Sequence, residues 1–368
     1  MSRVVFVLGA GASAAAKAPL SSDFMDKAKL LLREGDLSED DRAAFELVLQ
    51  ARDSLKAAHS KAELDLRNLE TLFGAFEMAA LFGRLGAMPQ KQVEALPLAM
   101  RRLISRTIEK TMEFPVLLTA ENRIPPAPPA RRAGTFPKIL PPVPYETFAE
   151  LVARMSAKRP ADVSLITFNY DLGTDYALAF AQIPFSYGLG EDPGGALDLL
   201  KLHGSLNWGR CASCGNIVPT DVNQLAKTVR IRSSDSVRLE ASQRVAELVH
   251  CGSALGTGPV IVPPTWNKGM YHSQIDQVWK KAARHLSEAE YIFIIGYSYP
   301  PTDEFFRYLY ALGSIGDGWV EHVYVFNPDS KVGARVKALL GPLVKSRFTA
   351  LTNPFEQAIS YIGEMGIA

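Results

Sequence analysis

A short apolar strand followed at once by a glycine-rich turn restricts the fold of this chain more than any other feature. Residues 4–8, VVFVL, contain no polar residue, which predicts a strand buried on both faces of a parallel sheet. Gly9, Gly11 and Ala14 follow with the spacing GxGxxA, in which small residues let the backbone approach a pyrophosphate. A tight turn that binds no ligand is the alternative. Because the motif follows the first strand, the sequence favours a nucleotide-binding turn.

Further strands and helices alternate along the chain, which predicts an α/β fold with a Rossmann-like parallel sheet and helices on both faces. Strands are predicted at 163–168, 199–202, 291–297 and 323–327, and helices at 22–33, 174–181, 303–312 and 330–340. Between 38 and 112 the pattern is helical throughout, with Ser38 and Asp41 forming a capping box. The predicted segments are the first part of the sheet domain (1–35), a helical insertion (36–124), a proline-rich loop (125–144), the sheet domain continued (145–206), a small cysteine-bearing lobe (207–258) and the completed sheet domain (259–368).

Composition excludes several classes of protein. The 40 basic residues balance 39 acidic ones, so no overall positive field would attract nucleic acid or an anionic membrane. No apolar run approaches the roughly 18 residues that a membrane span needs. The apolar residues after Arg3 resemble a signal peptide, but their run is short, and three cysteines suit a reducing compartment. We therefore expect a cytoplasmic protein that binds neither membranes nor nucleic acid directly.

Polar residues stand at the carboxyl ends of the predicted strands, where open α/β sheets bind their ligands. Thr167, Asn169 and Asp171 close one strand, and His203 closes another beside a glycine. Histidine can accept a proton near neutral pH, whereas asparagine and aspartate at such positions can also serve only as turn or capping residues. Two later strands end in residues suited to ribose or adenine contacts, namely Gly296, Ser298 and Asn327.

Six short motifs, LGAGAS, ITFNYD, LHGS, CASC, GYS and FNPD, occur in this order, and together they resemble the sirtuin superfamily. That resemblance implies a sheet that binds NAD, a small zinc-bearing lobe, and cleavage of the bond between nicotinamide and ribose. Pro19 is followed by Leu-Ser-Ser where protein-deacylating sirtuins have Asp-Phe-Arg, and Phe168 stands where they have glutamine. The chain is instead similar to prokaryotic sirtuin-like proteins that destroy NAD in anti-phage defence. The sequence NLETLF around Glu70 also resembles the helical insert of that branch.

The resemblance implies an NAD glycohydrolase in which Asn169 orients the ribose or the attacking water, Asp171 holds the carboxamide side and His203 accepts the proton. The implied residues for binding NAD are Gly9, Ala10, Gly11, Ala12, Ser13, Pro19, Thr167, Gly296, Ser298 and Asn327. Two other functions stay open at this stage. One is an NAD-dependent protein deacylase, and the other is a module that binds NAD or ADP-ribose without turnover.

Zinc is the second cofactor that the resemblance implies. Cys211 and Cys214 form one CxxC pair, but the second pair is reduced to Cys251, with Leu248 in the place of its partner. His250 is the candidate fourth ligand, although neighbouring His and Cys residues make an awkward chelate for one tetrahedral ion. A lobe that folds without metal is the alternative.

An enzyme that depletes NAD must be held inactive until it is needed. No sensor domain is evident beside the sheet, the helical insertion and the lobe. We therefore expect activation through homo-oligomerisation, or through a partner encoded nearby such as an ATPase, a helicase or an Argonaute-type protein.

Overall fold

The computed structural model describes residues 3–35, 37–56, 64–117, 138–157, 162–190, 194–229, 235–256, 258–262, 273–299, 304–313 and 318–367. Its helices are α1 (Phe24–Glu34), α2 (Glu39–Lys56), α3 (Leu69–Phe82), α4 (Gln90–Thr111), α5 (Val143–Ser156), α6 (Gly173–Phe180), α7 (Val222–Thr228), α8 (Ala241–Glu247), α9 (Ser273–Glu288), α10 (Glu304–Gly313), α11 (Ser330–Leu339), α12 (Pro342–Lys345) and α13 (Phe355–Glu364). Its strands are β1 (Val4–Leu8), β2 (Phe114–Leu117), β3 (Lys138–Ile139), β4 (Val163–Thr167), β5 (Phe185–Ser186), β6 (Leu197–Lys201), β7 (Gly204–Ser205), β8 (Trp208–Arg210), β9 (Ile217–Pro219), β10 (Ser236–Val237), β11 (Val249–His250), β12 (Ser253–Ala254), β13 (Val260–Ile261), β14 (Tyr291–Ile295), β15 (His322–Phe326) and β16 (Phe348–Leu351).

A seven-stranded parallel sheet forms the centre of the molecule, with the order β16-β15-β14-β1-β4-β6-β5. All five residues of β1 are buried, because the strand lies between β14 and β4 and is covered on both faces. Phe6 packs on one face against Phe148 of α5, whereas Val5 and Val7 belong to the core on the other face with α9 and α11. This architecture confirms the predicted Rossmann-like α/β fold.

The helical pattern after residue 38 corresponds to α2, α3 and α4, and the main-chain N–H of Asp41 donates to Ser38 Oγ at 3.2 Å, as a capping box requires. Strand β2 follows α4 and pairs antiparallel with β3 and β10. Residues 125–137 of the predicted proline-rich loop lie outside the described residues, and the remainder contains β3 and the start of α5.

A buried network of charges fixes the helical insertion to the cysteine-bearing lobe. The guanidinium of Arg106 on α4 bonds Asp41 on α2 at 3.1 Å, Glu109 at 2.7 Å and Glu240 beside α8 at 3.1 Å. Glu109 also accepts hydrogen bonds from the main-chain N–H and the hydroxyl of Ser242. The network therefore holds α4 in place, and α4 forms part of the wall of the site described below.

Within the described part of the chain, no helix has both the length and the apolar composition required to cross a bilayer.

Candidate active site

A cavity of about 660 Å³ opens at the carboxyl ends of the central strands. Most residues that the sequence places in an NAD site line it, namely Ala10, Gly11, Ala12, Ser13, Pro19, Asn169, Asp171, His203, Gly296, Ser298 and Asn327. Gly9 and Thr167 lie behind the wall instead. The carbonyl of Gly9 accepts a hydrogen bond from Asn169 Nδ2 at 3.0 Å, and Thr167 Oγ1 accepts one from the main-chain N–H of Asn169 at 3.0 Å.

The glycine-rich turn is shaped by close packing against the loop after β14. A Cβ atom on Gly11 would lie 2.8 Å from the Cα of Gly296, so no larger residue fits without movement of the backbone. The N–H groups of Gly11 and Ala12 donate to the carbonyls of Gly296 and Gly9 at 2.8 and 3.0 Å. These two amides are thus engaged within the protein. The turn continues as a short 3-10 helix, Ala10–Ala16, and its small residues supply space for a ligand.

Ser13 is the centre of a buried hydrogen-bond cluster. Its hydroxyl donates to Asp171 Oδ2 at 2.6 Å and accepts from Asn169 Nδ2 at 3.1 Å. The hydroxyl of Tyr145 on α5 lies 2.6 Å from Ser13 Oγ. Tyr145 is the donor in this hydrogen bond, because the Ser13 proton is directed to Asp171. Since Asn169 Nδ2 is bonded to Gly9 and Ser13, the carbonyl Oδ1 is the atom of this amide that can accept a hydrogen bond from a ligand.

Burial and a neighbouring cation act in opposite directions on Asp171. Burial raises the pKa of the Asp171 carboxyl above its ordinary value, whereas Lys201, the Ser13 hydroxyl and the N–H of Gly173 oppose the rise. Burial likewise raises the pKa of Tyr145 well above its ordinary value, so its hydroxyl stays neutral and remains a donor. The cluster therefore places a carboxyl group with several fixed donors at one end of the cavity.

His203 lies in the turn between β6 and β7, with its ring against Phe168 and Tyr170 at centroid distances of 5.1 and 6.0 Å. Its carbonyl accepts a hydrogen bond from the N–H of Val262 at 2.8 Å. The next residue, Gly204, has φ +87°, and a Cβ atom there would overlap the carbonyl of Val260. The glycine thus permits the tight pairing of β7 with β13 that fixes the backbone beside His203.

The helical insertion supplies a wall of the cavity that the sequence did not predict. This wall consists of Leu69, Glu70, Phe73, Ile104 and Ile108 from α3 and α4. Tyr145 was also missed, because its helix follows a proline-rich stretch. The apolar spacing of Tyr145, Phe148 and Val152 is the signal that could have revealed this helix. Apart from Glu70, the site is therefore apolar on the insertion side, and it is polar at the strand ends.

Asn327 and Ser298 lie at another part of the cavity wall, after β15 and β14. Asn327 Nδ2 donates to the carbonyl of Tyr297 at 3.2 Å, and its Oδ1 accepts from the N–H of Asp329 at 2.9 Å. The guanidinium of Arg335 donates to the carbonyl of Ser298 at 3.0 Å. These bonds join the two loops, so the asparagine helps to shape the pocket as well as to line it.

The four predicted zinc ligands come together in the small lobe. The thiol sulfurs of Cys211, Cys214 and Cys251 and a ring nitrogen of His250 all lie within 4.8 Å of one another. Cys251 has φ +52° and Gly252 φ +73°, which are the signs that a type I′ turn requires between β11 and β12. This turn brings adjacent His and Cys side chains to one point. The donor set is therefore a Cys₃His cluster that suits tetrahedral zinc.

We expect the purified protein to contain about one zinc ion per chain, because three thiols and one imidazole complete a closed structural site. Cys214→Ser should lower the zinc content and the melting temperature, since zinc binding contributes to the stability of such lobes. Ser213→Ala in the same loop is the control and should change neither. Metal analysis with thermal melting tests this, and wild-type protein that lacks zinc and melts unchanged with a chelator would contradict it.

Among the comparisons with known proteins, solved structures are the ones that match this chain. No protein-family model matches the chain, and no curated protein matches it. A solved complex of a Sir2 homologue with NAD is 16% identical and covers 100% of this chain and 91% of its own, with a TM-score of 0.39. A Sir2 homologue mutant bound to ADP-ribose is 17% identical over 99% of this chain and 91% of its own, with a TM-score of 0.40. Sir2Tm bound to a propionylated peptide is 16% identical over 100% of this chain and 95% of its own, with a TM-score of 0.37. The chain is thus similar to Sir2 structures.

Proposed function

We propose that the protein is a sirtuin-like NAD glycohydrolase that cleaves NAD with water to nicotinamide and ADP-ribose. One observation carries the proposal: Asn169, Asp171 and His203 line the same cavity as the glycine-rich turn after β1. The volume of about 660 Å³ is in the range of small-molecule and cofactor sites. NAD is the substrate in this proposal, and zinc has a structural role in the lobe.

The barrier in this reaction is the departure of nicotinamide, which leaves a ribose with oxocarbenium character. Oriented dipoles and negative charge stabilise such a cation because they need no rearrangement when it forms. Asn169 is suited to this role, because its Nδ2 is held by Gly9 and Ser13 while Oδ1 can accept a ribose hydroxyl or a water molecule. Asp171 holds the carboxamide side, with its carboxylate oriented by Ser13 and by the N–H of Gly173 at 2.9 Å.

His203 completes the reaction as the proton acceptor. The attacking water forms the new C–O bond as the nicotinamide–ribose bond breaks, and the bonding electrons leave with nicotinamide. The imidazole takes the proton released by the water, because the side chain of histidine is the one best suited to act as a general base near neutral pH. Its position in the tight turn before Gly204 supports a fixed direction of the ring.

Incubation with NAD alone tests this function against protein deacylation. We expect equal amounts of nicotinamide and ADP-ribose without any peptide, since water is the only second substrate of a glycohydrolase. Addition of an acetyl-lysine peptide should not raise the rate of nicotinamide release or produce free acetyl groups. Release that requires the peptide would favour a deacylase, and retention of NAD without release would favour a binding module.

A role as an NAD-depleting effector in bacterial anti-phage defence completes the proposal. The ordered motifs and the departures after Pro19 and at Phe168 support it. Helices α3 and α4 line the cavity on one side and expose Leu81, Phe82 and Leu98 elsewhere. These exposed apolar side chains support activation by self-assembly or by a partner protein acting through the insertion.

A further inference from the structure

A buried ion pair lies directly behind the polar end of the cavity. Lys201, the last residue of β6, and Asp175 of α6 are 1% and 0% exposed, and their Nζ and Oδ2 atoms are 2.8 Å apart. Neither residue lines the cavity. Removing two charges from water is costly, and a buried ion pair often adds no stability over apolar residues of similar volume. Its position behind a candidate active site therefore calls for a reason other than stability.

The ammonium group of Lys201 holds the turn that carries two of the proposed catalytic residues. Its Nζ donates to the main-chain carbonyl of Asp171 at 2.6 Å. The same turn is anchored at Asn169 by the hydroxyl of Thr167, and at Tyr170 by the N–H of Leu206, which donates to its carbonyl at 3.0 Å. Each residue of the turn thus has a backbone anchor, and the anchor of Asp171 is a buried cation.

Further hydrogen bonds lead from Asp175 towards the strand that follows His203. The Oδ1 atom of Asp175 accepts a hydrogen bond from the Tyr187 hydroxyl at 2.6 Å. The oxygen of the Tyr187 hydroxyl in turn accepts a hydrogen bond from Asn207 Nδ2 at 3.0 Å. Asn207 Oδ1 then accepts from the hydroxyl of Ser205 at 2.7 Å, two residues after His203. One buried polar chain therefore connects the backbone at Asp171 with the strand that follows His203.

We propose that Lys201 and Asp175 are positioning residues for hydrolysis of NAD, which fix the turn Asn169–Asp171 and keep a positive charge behind the Asp171 carboxylate. This inference rests on the proposed function. Neither Lys201 nor Asp175 lines the cavity, so the pair acts through the backbone and the charge of Asp171, which does line it. Buried polar chains of this kind hold one geometry when all of their members are paired.

Removal of the ammonium group tests the inference. Lys201→Met keeps the length of the side chain, and we expect kcat for NAD to fall by up to roughly 10²-fold, because small displacements of reacting groups have effects of this size. KM should change little, since Lys201 does not line the cavity. A purely structural role would lower the melting temperature without altering kcat per folded chain.

The pH profile gives a second, independent readout. The titratable groups that face Asp171 are Tyr145 from α5, Asp175 from α6 and Lys201 from β6, and among these only Lys201 favours the ionised carboxylate by its charge. Without it, the pKa of Asp171 rises further, so the carboxylate that accepts the Ser13 proton is lost at a higher pH. We expect the acid limb of the kcat profile of Lys201→Met to move to higher pH.

Two further variants keep the test decisive. Lys281→Met removes a lysine from the Lys281–Asp198 pair near the start of the same strand β6, away from the cavity, and should leave kcat and the pH profile unchanged. If Lys201→Met does not fold, the double variant Lys201→Met/Asp175→Leu replaces both charges with apolar groups and should fold.

The double variant should still show the loss of kcat, because the carbonyl of Asp171 has lost its donor. Wild-type kcat and pH profile in either folded variant would overturn the positioning role while leaving NAD hydrolysis intact. Absence of NAD hydrolysis in the wild-type protein, both in dilute solution and at high protein concentrations that favour self-assembly, would instead refute the proposed function itself, and this inference with it.

Discussion

Replacing His203 by alanine is expected to lower kcat for NAD hydrolysis by about 10²–10⁴-fold, the usual contribution of a general base. The imidazole lies in the wall of the cavity that Asn169 and Asp171 also line, and from this wall it is proposed to take the proton of the attacking water. The protein should remain folded, because the fixed pairing of β7 with β13 is made by backbone groups. Initial rates of nicotinamide release with circular dichroism as the folding check measure this effect.

His322→Gln is the matched control for this prediction. His322 is the first residue of β15, at the end of the sheet opposite to the cavity, and its ring bonds Thr349 at 2.8 Å. Its loss should leave the rate unchanged. If His203→Ala hydrolyses NAD as fast as the His322→Gln variant, His203 is not the base.

Replacing Asn169 by alanine is expected to lower kcat by about 10²–10³-fold, since a preoriented polar group at the developing charge contributes on this scale. The variant also loses the hydrogen bonds to Gly9 and Ser13, so the glycine-rich turn loses two of its contacts with the segment that follows β4. Steady-state kinetics over a range of NAD concentrations separates an effect on kcat from one on KM.

Asn223→Ala, on the exposed surface of α7, controls for the loss of an asparagine and should behave as the wild type. A rise in KM for Asn169→Ala with unchanged kcat would assign Asn169 to substrate binding alone. It would contradict a role in the transition state.

The central sheet was predictable because buried parallel strands have sequences that are short runs of apolar residues. VVFVL and YIFII follow this pattern: β1 is buried throughout, as predicted, and β14 lies within the predicted strand 291–297 and is buried except at Tyr291. The edge strand β16 was not predicted, because its four residues are half-buried or exposed and carry no such run. Helix α9 was missed although its signal is present, with Ile275, Val278, Ala282 and Leu286 at helical spacing.

The candidate site was predictable where its residues follow strands, since the ends of parallel strands meet at one edge of the sheet. Asn169, Asp171 and His203 are examples, and all three line one cavity. The insertion wall could not be predicted, because the placement of Phe73 and Ile108 depends on long-range packing of α3 and α4. Lys201 and Asp175 were missed for the same reason, since their pairing joins a strand to a helix 26 residues away.

In the cysteine-bearing lobe, the sequence predicted the four candidate zinc ligands but not the backbone conformation that brings them together. Adjacent His250 and Cys251 are an awkward chelate when the backbone between them is extended. The left-handed conformation of Cys251 removes this difficulty, because it turns both side chains towards Cys211 and Cys214. A turn of this type is favoured by Cys-Gly only weakly, so spacing alone could not reveal it.

The most direct test compares nicotinamide release from NAD by the wild-type chain with that by the Asn169→Ala and His203→Ala variants, each purified in folded form and assayed without peptide. A catalytic role for Asn169 and His203 predicts that the wild type releases nicotinamide and ADP-ribose in equal amounts, and that both variants lose at least about 99% of this rate, the lower end of the expected range. Equal release by all three proteins would contradict it.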